Sequence, residues 1–446
     1  MKNYCFILLV LVGFSMNAQN KKWTLEECVN YALENNISIK QSALDLELAD
    51  IDVSQAKFNF LPNLNANASY SINTGANINP ATNQFENQTF RSASGGASSG
   101  INISSGLQNW KNLQLAKLNE LAAQYQLERI KDNTSLFVAN AFLDILFNKE
   151  RLKVLQAQNL VTVQNIERTT ELVEAGVLPE GDLLELRATS ATQVQQIIEA
   201  ENALFISRLG LAQLLQIQDY QNFQIADVEY PIISEEILTY EPAVIADKAK
   251  EVRQVVDIAE TNYEIAQKNL ELARSDYYPS LSAFVGYNTR WSSVQTNPFT
   301  GAEFGFIEQL YLFDGTSIGF RLDVPIFNRF TTRNSVKRRK VEVERSKFQL
   351  EQTNLDLEAD VYQAYNDANN AKKSYEAALT TEVARSLAFE YAQQRYDVGL
   401  TNAFDYNQSK IQYENAQSDV IRTKYDYIFK LKVLEFYFGI PITDIN

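Results

Sequence analysis

Histidine is absent from the 446 residues of this chain, and with it go the commonest general base and the commonest transition-metal ligand. Carboxylates remain, but no enzyme signature accompanies them, so the chain reads as a non-enzyme with no cofactor and no metal site. Cysteine is nearly missing, with only Cys5 and Cys28. Cys5 falls inside an N-terminal export signal, so the processed chain keeps Cys28 alone and no intrachain disulfide is open to it. Positive charge is the minority sign, 40 Lys and Arg against 55 Asp and Glu, for a formal net charge of −15. That balance excludes the basic footprint on which nucleic-acid binding relies. Proline and glycine number only 9 and 16, and residues 110–174 and 331–398 contain neither.

What is present begins with a secretory signal: Lys2, an apolar run over residues 5–12, then Ser15-Met16-Asn17-Ala18. Cleavage is expected after Ala18, making residues 1–18 the signal peptide. The run is too short to cross a bilayer as a helix, and no cysteine stands at the cut to carry a lipid.

The chain also repeats itself. Residues 56–70 lie over residues 273–287 with Ala56/Ala273, Pro62/Pro279, Leu64/Leu281, Ala66/Ala283 and Tyr70/Tyr287 in register. At a slightly larger offset Gly176 matches Gly399, Asp182 matches Asp405, Leu211 matches Leu434 and Ile217 matches Ile440. Two matches in the same order predict a duplicated unit. The expected division is a first repeat over 19–217, a connector over 218–247, a second repeat over 248–438 and a tail over 439–446.

After Pro62, the residues Leu64, Ala66, Ala68, Tyr70 and Ile72 alternate with Asn63, Asn65, Asn67, Ser69 and Ser71, the two-residue period of a strand. A return strand sets Ile101, Ile103 and Leu107 against Gly100, Asn102, Ser104 and Gly106. In the second half Ile318, Phe320, Leu322, Val324 and Ile326 alternate with Gly319, Arg321, Asp323 and Pro325. Residues 281–291 do the same, except that Phe284 enters the polar face. A barrel wall between lipid and a wet lumen has this pattern, and so does a half-buried sheet in a soluble protein. The export signal and the aromatics Tyr70, Tyr287, Trp291, Tyr311 and Phe313 near strand ends favour the barrel. Four strands cannot close one, so several chains would have to share it.

The stretches without proline or glycine would each run on the order of 100 Å as continuous helix. Tyr406, Tyr413, Val420, Tyr427 and Leu434 recur every seven residues, and Leu183, Ser190, Ile197, Leu204 and Leu211 keep the same register in the first half. Such a seam commits a helix to pack along neighbours. Each long helix is predicted to reverse at a glycine turn, residues 175–179 and 398–402, with Pro179 in the first turn of the helix that follows. Thr24 and Glu27 form a capping box at the first helix.

Together these residues resemble the TolC-like outer-membrane efflux protein family. The resemblance spans essentially the whole processed chain. It is carried by WTLEECVNYALENN from Trp23 to Asn36, by both Pro-x-Leu strand entries, by Val324-Pro325-Ile326-Phe327-Asn328, and by Arg395-Tyr396-Asp397-Val398-Gly399-Leu400-Thr401. It implies a mostly helical chain with membrane β-structure: a homotrimer whose four strands per chain make a twelve-stranded barrel, continued by an α-helical barrel through the periplasm. Residues 218–247 and the segment after Gly439 would form its equatorial region. The implied place is the outer membrane of a Gram-negative bacterium, and the implied function is a passive, gated exit duct for efflux or type I secretion. Its implied partners are a periplasmic adaptor, an inner-membrane pump and outer-membrane lipid. A periplasmic coiled-coil protein without transport activity is the alternative.

The family closes its periplasmic tips by polar contacts near the two turns. By that resemblance the constriction comprises Asp182, Glu185, Tyr396, Thr401, Asp405 and Gln408, and the adaptor docks on Gly176, Val177, Leu178, Val398, Gly399 and Leu400. An acid in the first turn of a helix also simply complements the helix dipole, and that reading of both aspartates stays open. Thr401 stands where the best-known member has an arginine, and Gln408 where it has a second aspartate. The basic series Arg329, Arg333, Lys337 and Lys340 fits either a solvated helix face or contact with phosphate headgroups.

Overall fold

The computed structural model describes residues 22–78, 83–227, 236–297 and 300–442; the signal segment lies outside them. In chain order the elements are β1 (Lys22–Trp23), α1 (Leu25–Asn35), α2 (Ile37–Phe58), β2 (Asn63–Ile78), β3 (Phe85–Ser105), α3 (Gln108–Glu174) and α4 (Glu180–Leu214). They continue with β4 (Gln224–Ile225), a 3-10 turn (Glu236–Thr239), α5 (Pro242–Val252), α6 (Gln254–Ser275), β5 (Ser280–Ser292), α7 (Phe306–Leu312), β6 (Gly315–Asp323), α8 (Thr331–Asp397) and α9 (Ala403–Phe438). Among the described residues no helix is long and apolar enough to cross a membrane.

The helices that flank the strands match one for one between the two halves. α1 and α5 are both 11 residues, α2 and α6 both 22, α3 and α8 both 67, and α4 and α9 are 35 and 36. The helices before the strands are offset by 217 positions and those after them by 223. The two offsets therefore differ because the strand segments differ in length: a β2–β3 hairpin in one half, and β5–α7–β6 in the other. The connector boundary at 247/248 falls inside α5, a continuous helix that opens at Pro242.

The chain divides into two compact units. The described residues of the first fall within 1–44, 125–258 and 351–446. Its packing is duplicated down to single positions. Cys28 and Ile245, Ala32 and Ala249, Val138 and Val361, Ile145 and Ala368, Leu211 and Leu434 are equivalent pairs, and every one is fully buried. Cys28 thus occupies a place that the other half gives to isoleucine. The breaks between α1 and α2 at Asn36 and between α5 and α6 at Arg253 are also equivalent. Asn36 Nδ2 donates to the Leu214 carbonyl at 3.1 Å, while the Arg253 guanidinium lies 4.2 Å from the Phe436 ring and bonds Asp132 at 3.2 Å. Each break is stitched to the end of its own half's last helix. The capping box at Thr24 and Glu27 is formed in both directions, at 3.0 and 3.2 Å. β1 pairs in parallel with β4.

The second unit, residues 45–124 and 259–350, holds one antiparallel sheet of order β2-β3-β5-β6. Opposed residues in such a sheet share a face. Register therefore puts Leu64, Ala66, Ala68 and Tyr70 on the face of Ala97, Ala93, Val285, Tyr287, Ile318, Phe320 and Leu322. The opposite face carries Ser and Asn, with Ser69–Ser94 and Ser71–Ser92 hydroxyl pairs at 2.7 Å. Phe284 breaks that polar face and is accommodated by a glycine on each side, Gly100 and Gly319. A Cβ at Gly319 would come within 2.7 Å of its ring.

Three details depart from expectation. β3 begins at Phe85 and ends at Ser105 after a bulge near Asn102, so Leu107 lies past the strand, at φ +63°. β6 ends at Asp323, leaving Val324 and Ile326 outside it. Tyr311 belongs to the short helix α7 and Phe313 caps it, a helix with no counterpart among the described residues of the first half.

The candidate channel gate at the helical tips

In the first unit, α3 reverses into α4 and α8 into α9 through the same backbone device. Gly176 and Gly399 adopt φ of +72° and +73°. The residue after each glycine donates its N–H back five positions, Val177 to Leu172 at 2.8 Å and Leu400 to Arg395 at 2.8 Å, which is the Schellman pattern. Only glycine enters this left-handed conformation without steric cost. Val177, Val398 and Leu400 are exposed at the tips and Leu178 is half-buried.

The following helices start differently. α9 is capped by Asn402, whose side chain accepts the Asp405 N–H at 2.8 Å, while the Thr401 hydroxyl donates to the Asp405 carboxylate at 3.1 Å. α4 has Pro179 as its N-cap, outside the first turn, and Asp182 N–H donates to the Pro179 carbonyl at 3.1 Å. Asp182 and Asp405 are each the third residue of their helix. Glu185 and Gln408 are exposed one turn further on.

Between the two hairpins is a groove of about 370 Å³, lined by Thr169, Leu172, Leu178 and Leu186 from one and by Tyr396, Val398 and Tyr406 from the other. Arg168 of α3 bridges Asp397 of α8 at 2.8 Å. Asn165 of α3 donates to the Tyr406 hydroxyl of α9 at 2.9 Å. Tyr396 stacks on Tyr406 with centroids 4.9 Å apart, and Phe389 continues the stack to Tyr413 at 5.6 Å. Burial pushes the Tyr406 phenol up to about 12 and raises Tyr396 as well, with the Asp182 charge a smaller contribution in the same direction. Tyr396 lies beside Thr169, yet its buried hydroxyl closes no hydrogen bond of good geometry.

Deeper in the bundle, Lys410 is 3% exposed. Its ammonium donates to Thr162 and lies 3.6 Å from Glu414, which also accepts from Gln193 at 3.1 Å. Burial lowers the lysine and raises the glutamate from their ordinary values.

The structure therefore keeps Thr401 with Asp405 inside the second hairpin, and of Asp182 it shows only a charge near enough to Tyr396 to raise its phenol slightly. The cross-hairpin contacts Arg168–Asp397 and Asn165–Tyr406 escaped sequence reasoning. Tyr406 was visible as a heptad position and Asp397 as part of RYDVGLT, but nothing local marks Arg168 or Asn165. Of the basic series, Arg329 lies before α8, at φ +54°, so it is not part of a helical stripe. All four members are exposed.

This chain belongs to the outer membrane efflux protein family, whose model matches residues 28–215 and 245–439. It is 24% identical over 414 residues to the outer membrane protein TolC of Vibrio cholerae, covering 91% of this chain and 88% of the relative. Among solved structures it is similar to the outer-membrane channel OprN, with a TM-score of 0.78, 16% identity and 93% and 89% coverage. It is likewise similar to the outer membrane protein VceC of Vibrio cholerae, with a TM-score of 0.76, 14% identity and 93% and 96% coverage. The fold is that of the TolC-like channels, and the protein is an outer-membrane component of efflux or secretion machinery extending into the periplasm. The family is one of transport ducts, not of enzymes.

Proposed function

We propose that three copies of this chain close one twelve-stranded barrel, four strands from each, and form a passive, gated duct that docks on a periplasmic adaptor and an inner-membrane pump. The observation that supports this is the sheet, apolar on one face and polar on the other, with β2 and β6 left as edges within the chain. An edge in lipid leaves backbone groups without partners, and pairing β6 of one copy with β2 of the next removes every edge. The two repeats, 19–217 and 248–438, each supply one strand pair and one helical hairpin.

The tips around Gly176, Val177, Leu178, Val398, Gly399 and Leu400 form the adaptor-docking end. Asp182, Glu185, Tyr396, Thr401, Asp405 and Gln408 form the constriction, where threefold symmetry turns each carboxylate into a ring that attracts cations and repels itself when closed. Arg168–Asp397 and Asn165–Tyr406 hold the two hairpins of one copy together.

Native mass spectrometry in detergent and planar-bilayer recording test this. A trimer mass and a cation-selective conductance blocked by divalent cations are expected, with the block relieved in Asp182→Asn or Asp405→Asn. A monomer mass overturns the shared barrel. Conductance and block unchanged in both variants overturn the gate.

A further inference from the structure

We infer that helix α7, together with Arg91 of β3, is a binding site for anionic lipid of the outer leaflet, with α7 among acyl chains and Arg91 on a phosphate. The inference rests on the barrel reading of the sheet.

Following the apolar face outward, one rung aligns Tyr70, Ala93 and Trp291 across β2, β3 and β5, and the next places Arg91 opposite Ile72. A cation thus stands on the apolar face one step beyond an aromatic pair. Strand β5 runs from Ser280 to Ser292; at ~3.4 Å per residue and a tilt of about 40°, the stretch to Trp291 rises roughly 28 Å, close to the ~25 Å apolar band of outer-membrane barrels. Aromatic girdles mark the borders of that band, and an arginine is tolerated on the lipid face only near them. Arg91 is exposed, and among the described residues no carboxylate pairs with it. Its backbone is fixed by Ser293, whose hydroxyl accepts the Arg91 N–H at 2.9 Å and whose N–H donates to the Arg91 carbonyl at 2.8 Å.

Helix α7 has its polarity reversed. Gln309 is 1% exposed, while Ile307, Tyr311 and Leu312 are 61%, 76% and 53% exposed; the one exposed charge, Glu308, turns back to the helix start and accepts the Gly305 N–H at 3.3 Å. The buried carboxamide takes the place of a strand. β6 last pairs with β5 at Asn288; beyond it Gln309 Oε1 accepts the Ser292 N–H and Nε2 donates to the carbonyls of Ser292 and Phe304, each at 2.9 Å. Leaving no backbone group of Ser292 open while turning apolar side chains outward suits a hydrocarbon solvent. The helix also sits on the apolar side of the sheet. The Thr289 hydroxyl donates to the Leu310 carbonyl at 2.6 Å, Phe306 packs edge-on to Trp291 at 5.5 Å, and both Thr289 and Trp291 project from that face. The exposed side of α7 is therefore continuous with the membrane face, which identifies its occupant as lipid.

The test uses the full-length channel in phosphatidylcholine nanodiscs, with a nitroxide at Ile307→Cys; Cys28 is buried and stays unlabelled. Collision with oxygen is expected to exceed collision with a water-soluble nickel chelate. Preference for the chelate means an aqueous loop, and low access to both means a protein cover such as a second copy; either overturns the acyl placement. For the phosphate, native mass spectrometry after exposure to lipid A is expected to show retention in wild type and Arg91→Lys, and roughly fivefold less in Arg91→Gln. Equal retention overturns it. Conductance is recorded on the same preparations: a conducting channel that fails these tests loses the lipid site alone, whereas a non-conducting one loses the barrel reading.

Discussion

Lys410 and Glu414 carry opposite charges into the interior of a helical bundle, where a lone charge is far more costly than a pair. Thr162 and Gln193 complete their hydrogen bonding. Lys410→Met should cost about 3–5 kcal/mol by stranding the carboxylate, and Glu414→Gln a similar amount by stranding the ammonium, whereas the double variant should return to within ~1 kcal/mol of wild type. The pH dependence separates the two single variants. Burial already holds Glu414 above the ordinary carboxylate value, and removing the lysine raises it further. A raised acid gives stability that is complete below its unfolded value and lost as pH rises through its folded value. Lys410→Met should therefore lose stability from pH ~4.5 upward, while Glu414→Gln, with its lysine lowered, should gain stability as pH rises toward the ordinary lysine value. Denaturant midpoints across pH measure this, and parallel profiles would refute the assignment. In the sequence neither residue stood out, because a Lys and a Glu four positions apart on a helix is the usual pattern of a solvated face.

At the scale of elements, much was legible. Absence of proline and glycine outlined α3 and α8, the heptads outlined the seam of α4 and α9, and two lone glycines located the turns. Strand β3 was legible only at its C-terminal end, since residues 92–100 are Ser, Ala and Gly and carry little alternation. Helix α7 was illegible because its one buried side chain is a glutamine and all its exposed ones but Glu308 are apolar, the reverse of the pattern that reveals an amphipathic helix. The turn glycines offer a direct test. A Cβ at Gly176 or Gly399 meets nothing within 4 Å, so any penalty for alanine comes from the positive φ alone, about 1–2 kcal/mol. Gly399→Ala should speed hydrogen exchange at the end of α8 by roughly tenfold, and Gly399→Asn should recover most of the loss, because asparagine tolerates this conformation. Equal protection in Gly399→Ala would mean that the Schellman turn does not hold the tip closed.

At the scale of the whole molecule, duplication was readable from shared spacings, but that one face of the four-stranded sheet is apolar follows only from register. Apart from Phe90 and Phe284, four strands of unequal length place their apolar residues on one side, and no single strand reveals that agreement. The two function classes left open by the sequence, membrane channel and soluble periplasmic coiled coil, differ at a position such as Ile318. It is 79% exposed in the single chain and lies level with Val285. On a lipid-facing wall Ile318→Arg places a cation within the apolar band, costing about 2–4 kcal/mol per chain near the midplane. A trimer that shares one barrel carries the substitution three times, so insertion into bilayers should fail, or succeed only in thin ones. On a soluble sheet the same change would merely cover exposed apolar surface and improve solubility. Ser69→Asp, on the opposite face, should leave insertion intact and increase cation selectivity, because in the proposed barrel that face looks into the lumen. Folding yield into phosphatidylcholine vesicles of two thicknesses measures both, and equal yields for Ile318→Arg and wild type in the thicker vesicles would exclude this face of the sheet from lipid.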